Sequence, residues 1–105
     1  MSGYLFKLIP PRPDFAFTQS DDERATMFEH VHYWGELASA GKTLAYGPVD
    51  DPSGGYGIGI VLAENLQAAE RLRYDDPVIR SLGFHTEIFP MLSLVTPSAR
   101  YDAAG

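Results

Sequence analysis

Residues Phe28 to Pro48 read FEHVHYWGELASAGKTLAYGP, a helical segment that stops at a glycine and turns at once into a strand. At about 100° per residue, Val31, Trp34 and Ala38 fall within about 40° of Met27, and His30 and Leu37 lie about 60° to 80° to one side. This apolar arc faces the interior, so His30 stands at its edge and His32 points away. Gly41 lacks the side chain that would resist the left-handed conformation closing a helix. Lys42 to Pro48, KTLAYGP, then forms a short second strand.

Upstream, Ser20 followed by Glu23 matches a capping box, and Asp21, Asp22 and Glu23 put negative charge where the helix dipole favours it. Gly3 to Ile9, GYLFKLI, is the first strand, halted by a double proline. Its two sides, Tyr4, Phe6, Leu8 and Leu5, Lys7, Ile9, are both largely apolar, which predicts cover on both faces. Pro10 to Phe17, PPRPDFAF, is too rich in proline for a helix or a ladder and is expected to be an extended loop. It either folds over the mouth of a site or is a plain surface connection anchored by Phe15 or Phe17.

Downstream, Asp50 to Gly55, DDPSGG, is a turn, and Tyr56 to Ala63, YGIGIVLA, a third strand. Tyr56, Ile58, Ile60 and Leu62 fill one of its sides, whereas Gly57 and Gly59 leave the other bare, with room for a packed helix or a ligand. These glycines lie inside a strand and do not open a helix, so they are no dinucleotide loop. Asn65 caps a second helix, LQAAERLRY, and Asp76-Pro77 starts a further turn that Gly83 closes. Phe84 to Leu94, FHTEIFPMLSL, is the last strand, with Pro90 as a bulge or edge signal, and residues 98–105 are expected to be a loose tail.

The order strand, helix, strand, strand, helix, strand predicts an α+β, ferredoxin-like βαββαβ fold, a four-stranded antiparallel sheet with helices on one face. The whole chain, 1–105, is expected to be one domain. The other sheet face stays uncovered. With Leu5 and Ile9, and with Tyr46, Phe84, Ile88 and Phe89 also available, it is expected to pack on a second sheet in a homodimer.

Composition narrows the function. The 105 residues contain no cysteine, which removes disulfides, thiolate catalysis and cysteine-ligated metals. A net charge of -6 without a basic run argues against nucleic acid and anionic membranes as partners. No apolar run approaches the roughly 20 residues of a membrane span, and the start is too short for a signal-peptide core, so a cytoplasmic location is expected.

The helix histidine His30, seventeen positions before Gly47-Pro48, the glycine-bearing strand GIGIV, and Asp76-Pro77 ahead of a glycine and the last strand together resemble the YCII-related domain family, from about Tyr4 to Pro97. The resemblance implies a dimeric α+β barrel, two ferredoxin-like sheets packed face to face, similar to muconolactone isomerases and cofactor-free oxygenases. It implies small-molecule lyase or isomerase chemistry, including dehydrochlorination. It also implies a His and Asp pair in a cleft, carried here by His30 and Asp76. The PPRPDFAF loop and Trp34 depart from the shorter members of that family.

A carboxylate beside a histidine fixes its tautomer and supports proton abstraction, so His30 and Asp76 are the candidate catalytic pair. The bland alternative is a satisfied helix histidine and a simple cap. Tyr46, Trp34, Pro48 and Asp50 are the candidate substrate contacts, Tyr46 foremost among the aromatics, with Asp50 and Asp51 as reserve carboxylates. His30 and His32 point about 200° apart and cannot share a metal ion. No nucleophile elbow supports a hydrolase triad. The expected function is a cofactor-independent enzyme, lyase-like or isomerase-like, acting on a small organic molecule. The alternative is a non-catalytic dimeric domain that binds a small ligand or a protein.

Overall fold

The computed structural model describes residues 1–103. The elements run β1 (Ser2–Ile9), α1 (Phe15–Thr18), α2 (Asp21–Ser39), β2 (Thr43–Val49), β3 (Tyr56–Ala63), α3 (Leu66–Tyr74), α4 (Pro77–Ser81), β4 (His85–Pro90), β5 (Ser93–Val95) and β6 (Arg100–Asp102). The first four long strands form one antiparallel sheet in the order β2-β3-β1-β4. This is the expected ferredoxin-like α+β fold. Among the described residues no helix is long and apolar enough to cross a membrane.

Local signals set the helix ends. Ser20 Oγ accepts from the Glu23 amide and Glu23 Oε1 from the Ser20 amide, closing the capping box. At the other end of α2 the Gly41 amide donates to Ala38 O and the Lys42 amide to Leu37 O, with Gly41 at φ +74°. That pair of bonds needs a left-handed residue, which glycine supplies without strain. Asn65 caps α3 through the Ala68 amide.

Period-two alternation sorts the sheet into two faces. Tyr4, Phe6 and Leu8 of β1, with Val61 and Ala63 of β3, are buried with Trp34, Leu37, Ala69 and Val78 of the helices. The opposite face carries Leu5, Ile58 and Ile60, paired in register with Phe89 and Ala45 at the flanks.

Several expectations change. The arc of α2 that is buried is centred on His30, with Met27, Tyr33, Trp34 and Leu37 around it, whereas Val31 is 57% exposed and Ala38 is also exposed. The α4 turn packs against α2 and rotates the buried stripe away from Val31. Tyr46 and Ile88 lie on the helix-side face, opposite Gly59 and Phe6, and Phe84 is in the core, so only Phe89 of that group reaches the open face. For Tyr46 the cause is a bulge: Thr43 pairs with Val61 and Ala45 with Ile60, so Leu44 is an extra residue that flips every later side chain of β2. The PPRPDFAF segment contains the short helix α1 and is anchored by Phe15, while Phe17 is exposed.

The last strand is divided. β4 ends at Pro90 on the sheet edge, and β5 leaves the sheet to pair with β6. The tail expected to be loose from residue 98 thus includes a strand at Arg100–Asp102; residues 104–105 lie outside the described residues. Leu94 of this hairpin rests on Gly3, where any side chain would collide with it. The hairpin therefore covers one end of the otherwise open face.

Candidate active site

The site is built by α2 and the start of α4. Asp76 stands at the N-cap of α4, its Oδ1 accepting from the Val78 amide at 3.1 Å, with Pro77 in the first helical position where no donor is needed. The same carboxylate reaches α2. His30 Nδ1 is 2.8 Å from Oδ1 and 2.9 Å from Oδ2, and Trp34 Nε1 donates to Oδ2 at 2.8 Å. His30 and Trp34 are four residues apart, so one helical turn aims both rings at the same acceptor.

This geometry sets the histidine tautomer. The indole and backbone N–H groups can only donate, and a carboxylate can only accept, so Nδ1 of neutral His30 carries its proton toward Asp76. Nε2 then holds the free lone pair. Among the described residues it has no protein partner, and the His30 side chain is 17% exposed whereas that of Asp76 is 2% exposed. Asp76 is thus a buried anchor, and His30 is its route to the surface.

Aromatic rings frame the pair. His30 lies between Trp34 and Phe84, each ring centre 6.4 Å away, and Phe84 meets Phe15 of α1 edge to face at 5.2 Å. The proline-rich segment is therefore linked to the site through Phe15 and Phe84. The Tyr33 hydroxyl donates to Leu72 O at 2.7 Å, and burial, aided by Asp75 and Asp76, pushes its acidity well below that of an ordinary phenol. Tyr33 is a neutral structural donor, not a proton source for catalysis.

Of the other candidates, Trp34 is 3% exposed and its polar edge is turned inward, a contact to Asp76 that the sequence did not suggest. Tyr46 is 43% exposed, and its ring lies 5.9 Å from that of Trp34. Pro48 and Asp50 are exposed farther along β2 and into the turn, and neither is bonded to the pair. Asp51 Oδ1 accepts from the Ser53 amide, so it is a turn residue. His32 pairs with Glu36 on the exposed side of α2. Among the described residues no cluster of three or more histidine and carboxylate side chains is arranged to hold a metal ion. Among the described residues, open grooves of about 330 and 240 Å³ lie away from the pair, the larger between the proline-rich segment and the Asp51–Gly55 turn, the smaller beside Gly3 and Leu66.

The model of the YCII-related domain matches residues 5–92. A search of curated proteins found no significant match. Among solved structures, the chain is similar to 5-chloro-2-hydroxyhydroquinone dehydrochlorinase from Burkholderia phenoliruptrix in complex with 2,5-dihydroxybenzoquinone. The TM-score is 0.58 at 19% identity, with 82% of this chain and 90% of that one covered. At that identity the likeness is one of fold.

Proposed function

The chain belongs to the YCII-related domain family, and from that premise we propose that it is a cofactor-independent small-molecule enzyme of the lyase or isomerase kind. Nε2 of His30 is the general base, and Asp76 orients the ring and stabilises the imidazolium formed when Nε2 takes a proton. The observation that carries this reading is the convergence of three donors on a buried carboxylate, which leaves the basic nitrogen of His30 free. In an isomerisation the proton returns to another atom of the substrate. In an elimination it departs with the leaving group as an acid, and a fold neighbour named as a dehydrochlorinase supports that class. Tyr46, with Pro48 and Asp50 beyond it, is the proposed substrate wall, and a second copy of the chain covers the open sheet face.

The test is a thermal-shift screen of small acids, lactones and phenols, chlorinated phenols included, followed by turnover assays on every compound that raises the melting temperature. Turnover that falls by about 10² or more in His30→Asn supports the proposal. Equal rates in parent and variant overturn it.

A second reading, a non-catalytic dimeric domain binding a small ligand or a protein, is favoured by one observation: open grooves lie away from His30, whose ring is neighboured by Trp34 and Phe84. Compounds that stabilise the protein but are never converted would favour that reading.

A further inference from the structure

Trp34 is the only tryptophan of the chain, and the fold makes room for it at a cost to the sheet. A Cβ at Gly59 would overlap the six-membered part of its indole, so β3 carries no side chain where Trp34 lies down on it. Phe6 meets the ring edge to face at 5.7 Å from below. A buried indole N–H requires an acceptor. Here it uses a carboxylate oxygen that His30 already shares, at 2.8 Å.

We propose that Trp34 is a positioning residue for the His30–Asp76 pair, and that Gly59 is the socket that lets it act. The final torsion of an aspartate is soft and roughly two-fold, so a carboxylate held only at Oδ1 by its own cap amide can swing. The indole N–H pins Oδ2. With both oxygens pinned, the carboxylate presents a nearly symmetric fork to Nδ1, at 2.8 and 2.9 Å, which fixes the plane of the imidazole as well as its tautomer. The catalytic consequence rests on the general-base reading of His30, but the positioning itself can be measured without a substrate.

Because position 34 holds the only tryptophan, growth of a tryptophan auxotroph on β-(3-benzothienyl)alanine replaces this side chain alone with a bicycle of the same shape that has sulfur in place of N–H. Nitrogen-15 NMR then reads the His30 ring. In the parent, Nδ1 is protonated and its proton exchanges slowly. In the analogue protein that proton exchanges at least about tenfold faster, the second tautomer appears, and kcat falls by a similar factor with KM within about twofold. If the analogue folds poorly, Trp34→Phe carries the same measurement. Unchanged exchange and tautomer in a folded protein lacking the N–H overturn the proposal and leave Trp34 a core aromatic. Altered exchange with turnover insensitive to His30→Asn, or with no turnover in the parent, upholds the positioning role while the general-base reading falls.

Discussion

Arg12 and Glu23 are joined by two short hydrogen bonds, Nη1 to Oε2 at 2.9 Å and Nη2 to Oε1 at 2.8 Å, which tie the proline-rich segment to the first turn of α2. The Arg12 guanidinium, helped by the Ser20 amide, holds the Glu23 carboxyl down to about 2 from a usual 4.5. A carboxyl held below its unfolded value adds stability that is complete above pH 4.5 and lost as the pH falls toward about 2. Glu23→Gln keeps a capping side chain but cannot carry the charge. Parent and variant should therefore converge in urea midpoint across that window, and a gap that stays constant there would show that the ion pair contributes nothing.

Gly59→Ala should destabilise the protein by about 1–3 kcal/mol, because the new methyl collides with the Trp34 indole in a packed layer. Gly47→Ala, on the neighbouring strand with nothing within 4 Å of its would-be Cβ, is the control and should stay within about 1 kcal/mol of the parent. Urea denaturation of both variants checks the contrast.

His30→Asn should cost roughly 1–2 kcal/mol, since it removes a donor to a buried carboxylate and the ring that fills the space between Trp34 and Phe84. His32→Asn alters only an exposed pair with Glu36 and should change stability by less than about 0.5 kcal/mol. If the proposed base is right, the loss of turnover belongs to the first variant alone.

Asp76→Asn should be the more damaging of the two site substitutions, at roughly 2–3 kcal/mol. Asparagine still caps α4 through one oxygen, but its amide nitrogen would then face the indole N–H of Trp34, donor against donor. Capping alone predicts almost no loss. A thermal midpoint equal to that of the parent would show that the three-donor arrangement is not what stabilises this corner.

Light scattering should report about twice the chain mass of 11.6 kDa at micromolar concentration, and Ile60→Asp, at the centre of the open sheet face, should shift the protein to the monomer. A parent that runs as a monomer would remove the partner sheet from the proposed site.

What was legible in the residues is what local physics decides. The capping box at Ser20 and Glu23, the caps at Asn65 and Asp76, and the glycine stop at Gly41 each involve partners within a few positions, so residue type alone announces them. The βαββαβ order follows from those stops and from the alternation in β1 and β3. The His30–Asp76 pair was reached through family resemblance, since nothing local joins positions 46 apart.

The sequence by itself therefore determined the four sheet strands, the helices α2 and α3 and the turn at Asp76-Pro77, with their order, and the family resemblance singled out the histidine and aspartate worth testing; α1 and the β5-β6 hairpin were not legible in it. Only the tertiary structure decided how these elements meet. One extra residue at Leu44 turns Tyr46 from the open face onto Trp34, α4 recentres the buried stripe of α2 on His30, and the hairpin places Leu94 over Gly3. A helical wheel or a strand alternation holds within one element. Bulges, inter-helix packing and long-range acceptors such as the Asp76 carboxylate depend on what lies opposite, and that is set by the packing of the whole chain.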